Sequence, residues 1–193
     1  MVKSGLVEKT DGIHYRLASH LSLSLIILAL TFWFILENFN VVKFVNKIDN
    51  KFLTLFFILI VIQIIFGAFL AGLNGGLLFN SWPDMNGNFF PDDSLYQDLY
   101  NSNSINNPSF VQFYHRLIGY FLVIFLVILN YFYYHLTIEP KSIIIFNIAV
   151  IFQIILGILT LLTGVKIYYA SLHQLGSVFV LTSFIYIYYK NTN

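Results

Sequence analysis

Five apolar stretches, at about residues 17–36, 53–74, 112–136, 142–164 and 168–189 and uncharged but for Arg116, constrain this chain more than anything else in it. Each is long enough to cross the roughly 30 Å hydrocarbon core of a bilayer as a helix. Lipid offers the backbone no hydrogen-bond partner, so a span must satisfy its amides internally, and these runs lack the two-residue alternation of a barrel strand. The expected fold is therefore an all-α integral membrane protein of about five transmembrane helices. The composition agrees, with 58% hydrophobic and 10% charged residues. Lys3, Glu8, Lys9 and Asp11 interrupt the N-terminus before an apolar core develops, which argues against a cleavable signal. The chain has no cysteine, which excludes disulfides, thiolate metal sites and iron–sulfur clusters. Its net charge of +1 gives no reason to expect nucleic acid, and membrane lipid is its main environment.

Orientation follows from Lys and Arg placement. Lys43, Lys47, Lys51, Lys141 and Lys190 all fall at one end of the spans. The long 75–111 loop at the other end has no Lys or Arg but holds Asp84, Asp92, Asp93 and Asp98. This asymmetry predicts the loop outside and the C-terminus inside, with Lys3, Lys9 and Arg16 as the contrary signal.

Comparing the spans reveals an internal repeat. Gln63 opens QIIFGAFLAGLN and Gln153 opens QIILGILTLLTGVK, each with glycine four residues on, at Gly67 and Gly157. Each glutamine helix is followed by a helix that begins with histidine, YHRLIGYFLVIF and then LHQLGSVFVLTSF. The unit is a glutamine helix plus a histidine helix, present twice. The first span, SHLSLSLIILALTFW, is a further histidine helix whose glutamine partner is not in the chain. The preceding Ser4-Gly5-Leu6 resembles the closing step Ala71-Gly72-Leu73, so the chain is expected to begin inside a helix whose first part is absent.

His20, His115 and His173 thus lie in the outer turns of their helices, at one predicted depth. An imidazole in hydrocarbon seeks a partner in the bundle interior, and neutral imidazole is a common iron ligand. A flat macrocycle beside such a ligand needs small residues on the same helical face. His115 has Gly119 at i+4, His173 has Gly176 and Ser177 at i+3 and i+4, and His20 has Ser24 at i+4. The glycines equally suit close helix packing. His14 and His135 fall outside this pattern and are expected at the interfaces. Arg116, beside His115, is suited equally to pairing a propionate or meeting lipid headgroups. Gln63 and Gln153 are expected to bond across helices. In the 75–111 loop, Trp82, Phe89, Phe90, Leu95, Tyr96 and Leu99 are expected to fold back as a lid.

Several stretches together carry a more specific likeness: the opening MVKSGLVEKTDGIHYRLASHL, GAFLAGLNGGLLFNSWPDMNGNFFPDD, NPSFVQFYHRLIGY and LHQLGS. From residue 1 to about 185 the chain resembles the heme A synthase family of proteobacterial and mitochondrial type. The resemblance implies eight helices in two four-helix halves, of which residues 1–52 represent the remnant of the first and residues 53–193 the second. It implies that His115 and His173 are axial ligands of heme b iron in the second half. His20 then belongs to the substrate heme site of the first, without its partner histidine. The implied activity is oxidation of a heme o ring methyl to the formyl group of heme a, in successive two-electron steps, with heme b passing electrons away. Implied partners are heme o, heme o synthase, cytochrome c oxidase assembly factors and further copies of the chain. The implied location is a bacterial or mitochondrial inner membrane, with the 75–111 loop on the periplasmic side in the bacterial case. The rival reading from the repeat alone is a non-catalytic membrane protein such as a transporter half.

Overall fold

A computed structural model describes residues 13–101, 104–136 and 138–192. Ser4-Gly5-Leu6 and the other charged and small residues of the N-terminal segment lie outside the described residues. Five long helices form: α1 (Ile13–Asn38), α2 (Asn50–Gly72), α3 (Pro108–His135), α4 (Lys141–Leu162) and α5 (Ile167–Asn191). All five are long and apolar enough to span a membrane. They match the five apolar stretches, with starts extended by polar residues and caps that hydropathy does not register, while α2, α3 and α4 end one or two residues short of the apolar limit. Asp49 caps α2 by accepting from the Lys51 amide at 2.9 Å. Asn107 caps α3 in the same way through Ser109, with Pro108 in the first turn, where its missing N–H costs no helical bond. The α4–α5 turn is tight, and Gly164 takes a left-handed φ of 68° there.

α2 to α5 form a ring in which each helix touches its neighbours, so α2 faces α4 and α3 faces α5 across the bundle. α1 lies outside that ring against α2 and α5. The buried core is concentrated at the end opposite the long loop, hereafter the far end. There Phe56, Phe146 and Phe184 interlock, with Leu53, Leu129 and Leu181 fully enclosed around them. In lipid such packing acts through dispersion and close fit rather than expulsion of water, so the exposed Leu, Ile and Phe faces of the helices are no liability. Asn130 and Asn147 exchange amide hydrogen bonds of 3.0 and 2.7 Å across the α3–α4 seam. A bond of this kind within a membrane contributes about 0.6 kcal/mol.

The far end is closed by polar contacts between the α1–α2 connection and the last turn of α5. The Asn191 amide pairs with both backbone groups of Ile48, accepting at 2.8 Å and donating at 2.9 Å. Lys43 donates to the Tyr189 carbonyl at 2.9 Å and stands 3.2 Å over its ring. These contacts gather Lys43, Lys47 and Lys190 at one end.

The long loop folds onto the bundle at the other end, hereafter the loop end, but mostly through residues other than those expected. Phe79, Met85 and Phe90 point inward and are buried. Of the six aromatic and leucine residues expected to form the lid, Phe90 does so and Leu99 is half-buried, while Trp82, Phe89, Leu95 and Tyr96 face outward. The inward residues are six and five positions apart on an irregular backbone that has no helical or strand period, so composition could not separate the two faces.

Candidate functional site

The repeat seen in the sequence becomes a repeated contact in space. In α2–α3, a Cβ built on Gly67 would stand 3.2 Å from the His115 ring, and one on Gly119 would meet the Gln63 amide at 3.5 Å. In α4–α5, a Cβ on Gly157 would stand 2.9 Å from the His173 ring, and one on Gly176 would collide with Gln153 Oε1. Each pair thus uses the same reciprocal fit: the glycine of the glutamine helix receives the imidazole, and the glycine of the histidine helix receives the glutamine. At Gly67, Gly157 and Gly176 an added carbon would force the facing side chain to shift, whereas at Gly119 it would make only ordinary contact.

The histidines differ in their hydrogen bonds. His173 Nδ1 lies 3.2 Å from the Gln153 carbonyl, which can only accept, so Nδ1 carries the proton and Nε2 keeps its lone pair. Gln153 Nε2 also donates to the His173 carbonyl at 2.9 Å, giving a two-point tie between α4 and α5. At His115 it is Nε2 that faces the Gln63 amide nitrogen, at 3.3 Å, while Nδ1 is buried without a partner. Gln63 Oε1 and Gln153 Oε1 are buried and unpaired as well. His115 and His173 come from facing helices of the ring.

The remaining sequence candidates resolve differently. His20 is exposed on α1, with Ser24 Oγ donating 2.9 Å to its carbonyl, and the structure does not bring it between α3 and α5. Arg116 is tied to the loop through two of its nitrogens, while its Nε is buried without a partner. Its guanidinium donates to the backbone carbonyls of Asp84 and Phe79, at 2.5 and 3.0 Å. His14, expected at an interface, is buried: its Nε2 bonds Asn106 at 2.9 Å, and its backbone lies so close to Gly72 that a Cβ there would meet it at 2.5 Å. The signal for this contact was the Ala71-Gly72 step, read in the sequence only as a helix terminus. His135 packs against Tyr131 at the far end, with the two rings tilted by 52°. Gln112 is a site neighbour the sequence did not single out: it is buried and donates to the Phe79 carbonyl at 2.9 Å.

Among the described residues no group of three or more His, Asp or Glu side chains converges. A metal held between His115 and His173 must therefore bring most of its ligands with it, as iron does inside a planar macrocycle. The small residues around the rings, the bare Nε2 of His173 and the orphaned polar atoms beside it suit such a group.

Fold and site together define a polytopic helical membrane protein in which two glutamine–histidine helix pairs present imidazoles toward a common interior. The chain belongs to the cytochrome oxidase assembly protein family COX15-CtaA, whose profile matches residues 1–185. It is 54% identical over its whole length to a protein of Pelagibacter ubique named heme A synthase, covering 57% of that protein. It is 39% identical over 191 residues to the heme A synthase of Wolbachia pipientis wMel, where 96% of the chain covers 53% of the relative. A third relative, the heme A synthase of Rickettsia felis, is 36% identical over 198 residues, with 98% of the chain and 58% of the relative aligned. The chain therefore spans little more than half the length of these relatives. No solved structure matches it. The family match turns the reading away from a transporter half.

Proposed function

We propose that residues 53–193 form the heme b-binding half of a heme A synthase, with His115 and His173 as the axial ligands. Residues 1–52 contribute α1 and His20 to the site for heme o. The observation that carries the reading is the repeated cradle, in which each imidazole rests on a glycine of the preceding helix. His173 is held with its Nδ1 proton on the Gln153 carbonyl, which orients the ring and strengthens Nε2 as a ligand. His115 needs its Gln63 contact rearranged to present Nε2, or its unpaired Nδ1 engaged, for the matching role. Bound heme b would supply one-electron redox chemistry, and the protein would supply ligation, orientation and exclusion of water. In the whole protein the reaction is oxidation of the heme o ring methyl to formyl. The membrane is an inner membrane with the 75–111 loop on the periplasmic side, and heme o synthase, oxidase assembly factors and further copies of the chain are its partners.

The test is a visible spectrum of the chain purified from membranes of heme-producing cells. A low-spin b-type spectrum that is lost in both His115→Ala and His173→Ala supports the reading. A colourless, well-folded protein overturns it.

A further inference from the structure

The segment 75–90 is strapped to both helix pairs at once. On α3, Gln112, Arg116 and Tyr120 lie four residues apart on one stripe, and all three donate to carbonyls of the segment: Phe79, Asp84 and, at 3.2 Å, Pro83. On the other side Asn80 donates to the Leu161 carbonyl at the end of α4, at 3.0 Å. Irregular backbone is tolerated at membrane depth only where protein satisfies its polar groups, and this strap meets that condition with side chains.

The strap is apolar on its inward face and mostly apolar on its outward one, where Asn86 and Asn88 are the exposed polar side chains. Phe79, Met85 and Phe90 are buried beneath it, yet Leu77, Leu78, Trp82 and Phe89 on the outside are 55%, 45%, 46% and 65% exposed. Between residues 75 and 91 the only charged side chain is Asp84. The depth of the strap follows from α3. Its last turns carry Tyr131, Tyr134 and His135, an aromatic group suited to the far membrane boundary. At about 1.5 Å per residue, Tyr120 stands about 22 Å and Arg116 about 28 Å from His135 along the axis, against a hydrocarbon thickness of roughly 30 Å. Side chains on a helix lean toward its N-terminus, here the loop end, so the carbonyls gripped by these residues sit at the edge of the hydrocarbon.

We infer that the outward face of the strap, Leu77, Leu78, Trp82 and Phe89, is a lipid-binding surface seated in the headgroup–acyl boundary of the leaflet on the loop side. Trp82 occupies the depth at which indole rings are enriched. The strap is a re-entrant cap anchored from both sides, not a loop in water. This inference rests on the membrane-spanning reading of the helices and is independent of heme.

The chain has two tryptophans, Trp33 and Trp82, so the emission of Trp82 is the difference between the wild-type protein and Trp82→Ser in reconstituted phosphatidylcholine vesicles. The expected result is blue-shifted emission that is strongly quenched by lipids brominated near the glycerol end of the acyl chain and barely quenched by aqueous iodide. Red-shifted emission quenched by iodide overturns the proposal, and so does emission that neither quencher reaches. The lack of native cysteine allows a second measurement should Trp82→Ser fold poorly: a nitroxide on Leu78→Cys. Greater accessibility to oxygen than to a water-soluble nickel chelate supports the proposal, and the reverse order overturns it.

Discussion

The two helix pairs obey one scheme and depart from it in an informative place. Offset by 58 residues, His115 corresponds to His173, and the stripe Gln112, Arg116 and Tyr120 corresponds to Ala170, Gln174 and Val178. On α3 the stripe is spent on the loop, donating to the carbonyls of Phe79, Pro83 and Asp84. On α5, Gln174 and Val178 instead line an open groove against Leu21 and Leu25 of α1. The inward faces of the pairs repeat because they address a common interior, whereas the outward faces diverge because their neighbours differ. The connections differ for the same reason: residues 73–107 wrap the first pair, while the second is joined by the short turn 163–166.

The steric half of the comparison can be broken with single methyl groups. Gly157→Ala is expected to have the largest effect, about 1–3 kcal/mol of destabilisation, because the added carbon meets the rigid His173 ring at 2.9 Å. Gly67→Ala should cost about 1 kcal/mol or less, since the His115 ring is 3.2 Å away and held by fewer bonds. Thermal unfolding in detergent measures both, and equal losses would show that the two cradles are not differently tight.

Gly176→Ala comes next, at about 1–2 kcal/mol, because it drives away the Gln153 amide and with it the donation to the His173 carbonyl. Gln153 can rotate, which limits the loss. Its counterpart Gly119→Ala places the carbon at an ordinary 3.5 Å from Gln63 and should be neutral, or stabilising by up to about 1 kcal/mol through helix propensity. A marked loss in Gly119→Ala would contradict the fit described for the first pair.

The smallest effect concerns the strap, which the first pair holds through three side chains and the second through the Leu161 carbonyl alone. The Ser81 hydroxyl, helped by the Gly87 amide, holds the exposed Asp84 carboxyl below its usual value of 3.8. A depressed folded value means that the stabilisation is fully present above the unfolded value and is lost as pH falls through the folded one. Limited proteolysis of the 75–90 segment should therefore quicken slightly below about pH 4, and Asp84→Asn should remove that pH dependence. An unchanged pH profile in Asp84→Asn would discard this role.

Much of the molecule was legible from residues alone. Five spans could be counted because lipid compels each helix to be apolar and self-satisfied, a constraint that local composition registers directly. The glutamine, glycine and histidine spacings exposed the repeat, and the repeat marked His115 and His173 as one recurring position. The assignment of Arg116 was not legible, because a guanidinium at a membrane edge serves a headgroup, a propionate or a carbonyl equally well. Its carbonyl partners are 32 and 37 residues away in sequence. The burial of His14 escaped for a similar reason, since Asn106, its partner, is 92 residues distant.

What the sequence by itself determined was the solvent, the number of spans, the pairing of helices and the identity of the repeated imidazoles. Each of these is written in local composition or in a short fixed spacing. Only the tertiary structure decided that His20 stays exposed on α1, that Gln153 sets the tautomer of His173, and that Phe79 and Met85 rather than Trp82 face the bundle. These choices depend on backbone carbonyls and ring faces that are brought together by folding, and a carbonyl looks the same at every position of a sequence until a fold gives it a neighbour.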